Sequence, residues 1–291
     1  MNQYAHPEVL VDTDWVAAHL DDPNVRLVEI NEDANLYDQG HIPNAVHWHP
    51  DWRDYLSRDY LIGNRMAYLA SKMLGIHAES TVVFYGADFN WWAGFGYWLF
   101  KRFQHADCRI MNGGREKWTA EGRPLTTTVP AIVPTDYALV SMVPDHHDLR
   151  VTADQLVGHI RSGKRVLDVR SPEEYSGEIV FVPSAFREMF YPQKGHIPTA
   201  INAHWKSALQ PDGTFKPVEE LIANYERAGV KWNEDVVVYC SVGERSGHSW
   251  FVLKYLLGHP RVLNYDGSWV EWGSRPELPR AKGPEPDTWP V

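Results

Sequence analysis

Apolar residues along this chain follow two alternating periods. Thr81–Tyr85 and Val236–Tyr239 are short, β-branched and apolar throughout, the pattern of strands buried on both faces. Residues 26–31, with Leu27, Val28 and Ile30, and residues 166–169 predict two more strands, and residues 109–111 a short one. Between the strands the period changes to that of a helix. Residues 64–74 carry Met66, Leu69, Ala70, Met73 and Leu74; residues 246–257 carry Trp250, Phe251, Leu253, Leu256 and Leu257. Residues 90–103 predict an apolar helix, and Asp12 or Thr13 caps a first helix near 14–20. Gly40-His41-Ile42-Pro43 is a turn, in which Pro43 fixes its own φ and holds Ile42 extended. Asn112-Gly113-Gly114 is a second turn, leading into a short helical stretch at 115–118.

The same order of elements occurs twice. Val11-Asp12-Thr13-Asp14 matches Val151-Thr152-Ala153-Asp154, and Leu27-Val28-Glu29-Ile30 matches Val166-Leu167-Asp168-Val169. Gly40-His41-Ile42-Pro43 matches Gly195-His196-Ile197-Pro198, and Val82-Val83-Phe84-Tyr85 matches Val236-Val237-Val238-Tyr239. Asn112-Gly113 and Trp118 match Asp266-Gly267 and Trp272. The last three matches keep an offset of 154 or 155 over some seventy residues. The second copy carries an insertion over about 176–191, with Arg187 and Lys194 in or beside it. Strands alternating with helices predict an α/β fold in each copy, a mainly parallel sheet flanked by helices. The predicted boundaries are 1–124 for the first domain, 125–149 for a Pro- and Thr-rich linker and 150–291 for the second domain.

Composition narrows the function. With 291 residues, 44% apolar and 23% charged, the chain has the balance of a globular protein with two cores. A net charge of −10 argues against nucleic acid and anionic membrane as partners. It also means that the global field does not steer an anionic substrate inward. No signal peptide is read at residues 1–11, and the most apolar window, 91–100, is too short to span a membrane, so a cytoplasmic location is expected. Two cysteines, Cys108 and Cys240, make no disulfide framework. The scattered histidines, the adjacent His146 and His147 among them, show no zinc-ligand spacing, and no nucleotide or metal cofactor is implied.

Chemistry concentrates in Cys240-Ser241-Val242-Gly243-Glu244-Arg245-Ser246, between a buried strand and a helix. The free amides of such a loop converge with the helix dipole on one point, an anion cradle. A cysteine there is expected to have a lowered pKa and to be partly thiolate at neutral pH. A buried core thiol, a cysteine phosphatase and a sulfurtransferase all compete for this pattern. Arg245 is five positions after Cys240, one residue short of a phosphatase loop.

This loop after a Val-rich strand resembles the active-site loop of the rhodanese family. Leu167-Asp168-Val169-Arg170, Gly195-His196-Ile197-Pro198 and Asn264-Tyr265-Asp266-Gly267-Ser268-Trp269 are similar to that family's landmarks, in its order. The resemblance covers essentially the whole chain. It implies tandem rhodanese-like domains with the active site in a cleft between them. It also implies ping-pong transfer of the outer sulfur of thiosulfate, through a Cys240 persulfide, to cyanide or a thiol. The partners are then a small anionic sulfur donor and that acceptor; no protein partner is legible. Loop amides from Ser241 to Ser246, Val242 and Gly243 included, hold the anions, with the Ser241 and Ser246 hydroxyls as further donors. Arg170 matches the family arginine that binds the donor's anionic group. Arg245 either balances the thiolate and binds the donor anion or points back to pair with a carboxylate such as Glu244 or Glu174. Glu244, which would repel a thiolate, is expected to face solvent.

At the offset of 154, the counterpart of Cys240 is Gly86, and the loop 86–91 has neither thiol nor cation, so the first copy is expected to be inert. Phe89, Trp91 and Trp92 are candidates for a cleft wall or for core aromatics. His41 and His196 recur in both copies and are expected to be structural, and Cys108 to be a packed core thiol. The Cys-x-x-Gly-Glu-Arg-Ser form is similar to bacterial thiosulfate sulfurtransferases; 3-mercaptopyruvate is the alternative donor, and a rhodanese-fold binding module the alternative without catalysis.

Overall fold

The structure, a computed structural model, describes residues 3–50, 63–137, 149–182 and 192–289. The chain clusters into two compact units. One comprises Pro7–Asp145 with Gln210–Phe215, the other Met1–His6, His146–Leu209 and Lys216–Val291.

In the first unit the elements are β1 (Leu10–Val11), α1 (Thr13–Ala18), β2 (Val25–Ile30), α2 (Ala34–Gln39), β3 (Val46–Trp48), α3 (Gly63–Tyr68), β4 (Thr81–Tyr85), α4 (Trp91–Arg102), β5 (Cys108–Met111) and α5 (Gly114–Ala120). All strand pairs are parallel, in the order β1-β5-β4-β2-β3. Asp12 is the cap of α1, its carboxylate accepting from the Trp15 N–H at 2.7 Å. The predicted helix at 64–74 divides into α3 and a π-helical stretch, Leu69–Met73. From 124 to 137 the chain stays with this unit. His41 and Thr126 exchange backbone hydrogen bonds, and Thr135 bonds Ser71 and Ile76.

The second unit repeats the plan with α6 (Ala153–Arg161), β6 (Arg165–Asp168), α7 (Pro172–Ser176), β7 (Ile201–Asn202), α8 (Val218–Arg227), β8 (Val236–Tyr239), α9 (Glu244–Phe251), β9 (Val262–Asn264) and α10 (Ser268–Ser274). Its strands, again all parallel, run β7-β6-β8-β9. Every residue of β8 is fully buried, each such side chain contributing about 1.5–3 kcal/mol. That burial on both faces is why the run is apolar without alternation. Among the described residues no helix is long and apolar enough to cross a membrane.

The repeat extends to polar detail. Tyr85 donates its hydroxyl to Glu29, and Tyr239 donates to Asp168 Oδ2 at 2.6 Å. The two tyrosine oxygens accept the Ile42 and Ile197 amides. His41 stacks on Tyr37 and His196 on Tyr175, each with Nδ1 at that tyrosine's carbonyl. The two histidines therefore do structural work at equivalent turns, as expected.

Topology selects one place for chemistry in the second unit. From β6 the chain first adds β7 on one side and then β8 on the other. The carboxyl ends of β6 and β8 therefore flank a switch point, where open parallel sheets form their binding crevices. Cys240 follows β8 at that point.

Candidate active site

The loop turns from β8 into α9 at Gly243, the residue before the helix, whose φ is +109°. That conformation favours glycine, and it aims two amides back at the cysteine. The Gly243 N–H donates to Cys240 Sγ at 3.0 Å, and the Ser246 N–H reaches the same sulfur. Ser268, at the start of α10, completes the surround. Its Oγ accepts the Cys240 N–H at 3.0 Å, is 2.8 Å from the Tyr265 carbonyl and lies 3.9 Å from the sulfur. Ser268 holds φ at +52°, uncommon for a residue with a side chain. Its counterpart at the offset of 154 is Gly114, at φ +60°.

The expectation of a lowered Cys240 pKa is not met. Cys240 is 0% exposed. Burial, followed by the Glu244 carboxylate, pushes its thiol up to about 11, against Arg245 and the amides of Ser246 and Gly243. The resting group is a thiol. Glu244, expected to face solvent, is 2% exposed, and the Cys240 thiol donates to its Oε2 at 3.3 Å. Burial raises the Glu244 pKa, opposed by Arg245. The repulsion argument failed because it assumed an ionised sulfur; a neutral thiol is a hydrogen-bond donor to a carboxylate.

Of the two readings for Arg245, the structure places it on Glu174. The guanidinium makes a bidentate pair at 2.7 and 3.1 Å, and its Nε is 3.5 Å from Glu244 Oε1. Glu174 is the last residue of a capping box with Ser171 at the start of α7, so one carboxylate both caps a helix and anchors the loop. Against burial, Arg245 holds the Glu174 carboxyl below its ordinary range. The ring of Phe181 lies 5.6 Å from the Arg245 guanidinium carbon.

Arg170, expected to bind the donor's anionic group, pairs with a carboxylate of the strand before it. It is 0% exposed, bonded through Nε and Nη2 to Asp168 at 2.6 to 3.1 Å and through Nη2 to the Gly195 carbonyl at 2.8 Å. Residues two apart on an extended chain share a face, so the Asp168 carboxylate meets the Nε and Nη2 side of this guanidinium. The first unit neutralises the equivalent carboxylate, Glu29, from elsewhere, through Arg115 at 2.9 Å. The serine hydroxyls are also engaged: Ser241 donates to the Phe181 carbonyl at 2.9 Å, and Ser246 has Gly243 O and Asn264 Oδ1 at 2.9 and 2.7 Å. Val242 is buried beside them. Lys194 donates to the Glu178 carbonyl at 2.6 Å. Arg187, His146 and His147 lie outside the described residues.

In the first unit, a Cβ added to Gly86 would lie 2.3 Å from the Ile30 carbonyl oxygen. That position has no room for a cysteine on this backbone. Trp92 is 1% exposed and packs edge-on against Phe95, a core contact, and Phe89 has φ at +60°. Cys108 is buried, its thiol pushed up to about 12 by burial, a packed core thiol as expected.

Sequence reasoning missed the roles of Glu244 and Ser268. A signal for Ser268 was present: the repeat sets a serine where the other copy has a glycine, a substitution against backbone preference.

Residues 12–121 and 152–275 match the family profile of the rhodanese-like domain. A sulfur carrier protein, TtuD, of Thermus thermophilus is 51% identical over 97% of this chain and 99% of its own. A thiosulfate sulfurtransferase of Corynebacterium glutamicum is 43% identical over 97% of this chain and 93% of its own. Among solved structures, a variant of EanB in complex with ergothioneine superposes with a TM-score of 0.82 at 25% identity, over 97% of this chain and 72% of that one.

Proposed function

This chain belongs to the rhodanese family, with two rhodanese-like domains, and from that premise we propose that it is a sulfurtransferase. In this reading Cys240 takes the outer sulfur of thiosulfate as a persulfide and passes it to cyanide or a thiol. The observation that carries the reading is the sulfur's surround: a thiol at the carboxyl end of β8, with the Gly243 and Ser246 amides directed at Sγ. Preorganised donors favour a thiolate or persulfide anion over a neutral thiol, and they act most strongly where water is excluded. Arg170 and Arg245 are engaged with carboxylates, so recognition of the anionic donor falls to loop amides. The first copy, with Gly86 at the equivalent position, carries no sulfur.

Ping-pong transfer has a kinetic signature. Initial rates of thiocyanate formation, with thiosulfate and cyanide both varied, are expected to give parallel double-reciprocal lines, and Cys240→Ala is expected to abolish turnover. Turnover with 3-mercaptopyruvate but not with thiosulfate would keep the mechanism and replace the donor. Turnover by Cys240→Ala would end the reading.

A second reading concerns the acceptor. A relative 51% identical is named a sulfur carrier protein, and Cys240 has no exposure. Delivery of the persulfide to a protein thiol fits that relative's name.

A further inference from the structure

The environment of Cys240 contains a charge count that the sulfur chemistry has to respect. Among the described residues, three acidic groups, Cys240, Glu244 and Glu174, cluster with the Arg245 guanidinium. With both carboxylates ionised and the thiol neutral, the cluster carries one excess negative charge. Removing the thiol proton to solvent would add a second, in a place where Cys240 is 0% and Glu244 2% exposed. Each further uncompensated charge in such a place is costly. If the proton moves from sulfur to Glu244 instead, the charge changes place and the total does not.

The geometry sets up that transfer. The other polar contacts at Sγ come from donors, the Gly243 N–H at 3.0 Å and the Ser246 N–H. They suit an electron-rich sulfur. The thiol's own proton has Glu244 Oε2, at 3.3 Å, as its acceptor.

We propose that Glu244 is a catalytic residue, the group that accepts the Cys240 proton as the donor is attacked and returns it when the persulfide is discharged. The assignment rests on the persulfide reading of Cys240. In the first half-reaction the Cys240 sulfur supplies the electron pair for a new S–S bond, and its proton passes to the Glu244 carboxylate. The S–S bond of thiosulfate breaks with its pair on the departing sulfite. The products are Cys240 persulfide anion, protonated Glu244 and sulfite, with the same total charge as the reactants. In the second, the acceptor takes the terminal sulfur, Cys240 departs as thiolate, and Glu244 returns the proton. Among the described residues, the groups facing Glu244 are Cys240 from the loop, Arg245 from the same helix and Glu174 from α7. Arg245 is the cation that keeps Glu244 able to ionise.

Glu244→Gln tests this with a side chain of the same shape that accepts no proton from a thiol. Single-turnover loading of Cys240 by thiosulfate is followed by intact mass from pH 6 to 10. A positioned base contributes about 10²–10⁴-fold. The expected result is a loading rate constant at neutral pH lowered about 10²-fold in Glu244→Gln. That rate should rise about tenfold per pH unit, as hydroxide takes over, with partial recovery in Glu244→Asp. Glu244→Gln loading within twofold of wild type, with the same pH profile, would overturn the assignment. Thermal unfolding of each variant verifies the fold. If wild type loads from neither thiosulfate nor 3-mercaptopyruvate, the sulfurtransferase reading has failed. Glu244 is then judged by alkylation of Cys240 with iodoacetamide, resolved from Cys108 by peptide mass. The same ordering of wild type, Asp and Gln supports it, and equal rates overturn it.

Discussion

At Cys240 a thiol is held unionised by burial and a neighbouring carboxylate, while two backbone amides already point at its sulfur. Activation therefore belongs to the moment of reaction and not to the resting protein. The place of Cys240 at a strand-to-helix loop was legible in the sequence, because that loop draws on local geometry alone. The directions of its charged neighbours were not, because they depend on which carboxylates tertiary packing brings near. Arg170 shows the difference. Its partner Asp168 is two residues away on the same extended segment, close enough to be read, and the pairing with a ligand was preferred. Burial gives that pair a testable energetic signature. Arg170→Met leaves Asp168 buried and unpaired and is expected to cost about 3–5 kcal/mol in urea unfolding. Adding Asp168→Asn, which keeps the acceptor for the Tyr239 hydroxyl, should recover part of that loss. Arg170→Lys is expected to leave the KM for thiosulfate within twofold, and a tenfold rise would restore Arg170 as a donor contact.

At the scale of elements, the β8–α9 and β9–α10 connections meet at one sulfur. Gly243 adopts a conformation that glycine favours, and Ser268 adopts one that the other copy gives to Gly114. Backbone strain of about 1–3 kcal/mol is retained in proteins where a side chain has work to do. Here the Ser268 oxygen fixes the Cys240 amide. Ser268→Ala keeps the strain and loses the hydrogen bond; Ser268→Gly loses both. Thermal unfolding is expected to rank wild type and Ser268→Gly close together, with Ser268→Ala lower by about 1–2 kcal/mol. Ser268→Ala as stable as Ser268→Gly would mean the backbone there is unstrained. Element positions were largely legible, since the periods of 2 and 3.6 survive in the apolar residues. β4 and β8 fall where their β-branched runs predict. The π-helical stretches that extend α3 and α9 were not legible, because one extra residue in a turn leaves the apolar pattern almost unchanged.

Across the whole molecule, the sequence repeat was the strongest guide. Two parallel sheets, two Tyr–carboxylate pairs and two stacked His–Tyr turns follow it. The repeat also works as a control within one chain. The same scaffold carries a cysteine at 240 and a glycine at 86, where a Cβ would meet the Ile30 carbonyl. One copy thus has a thiol at this position, and the other has no room for one on its present backbone. With a net charge of −10, the protein offers an anionic donor no general attraction, and in the proposed reading the amides around Cys240 do the binding. The most direct test of that account is the intact mass of wild type and of Cys240→Ser after thiosulfate, followed by cyanide. The account predicts a gain of one sulfur atom on wild type, discharged as thiocyanate, and no gain on Cys240→Ser although Cys108 remains. No gain on wild type, or an equal gain on Cys240→Ser, would contradict it.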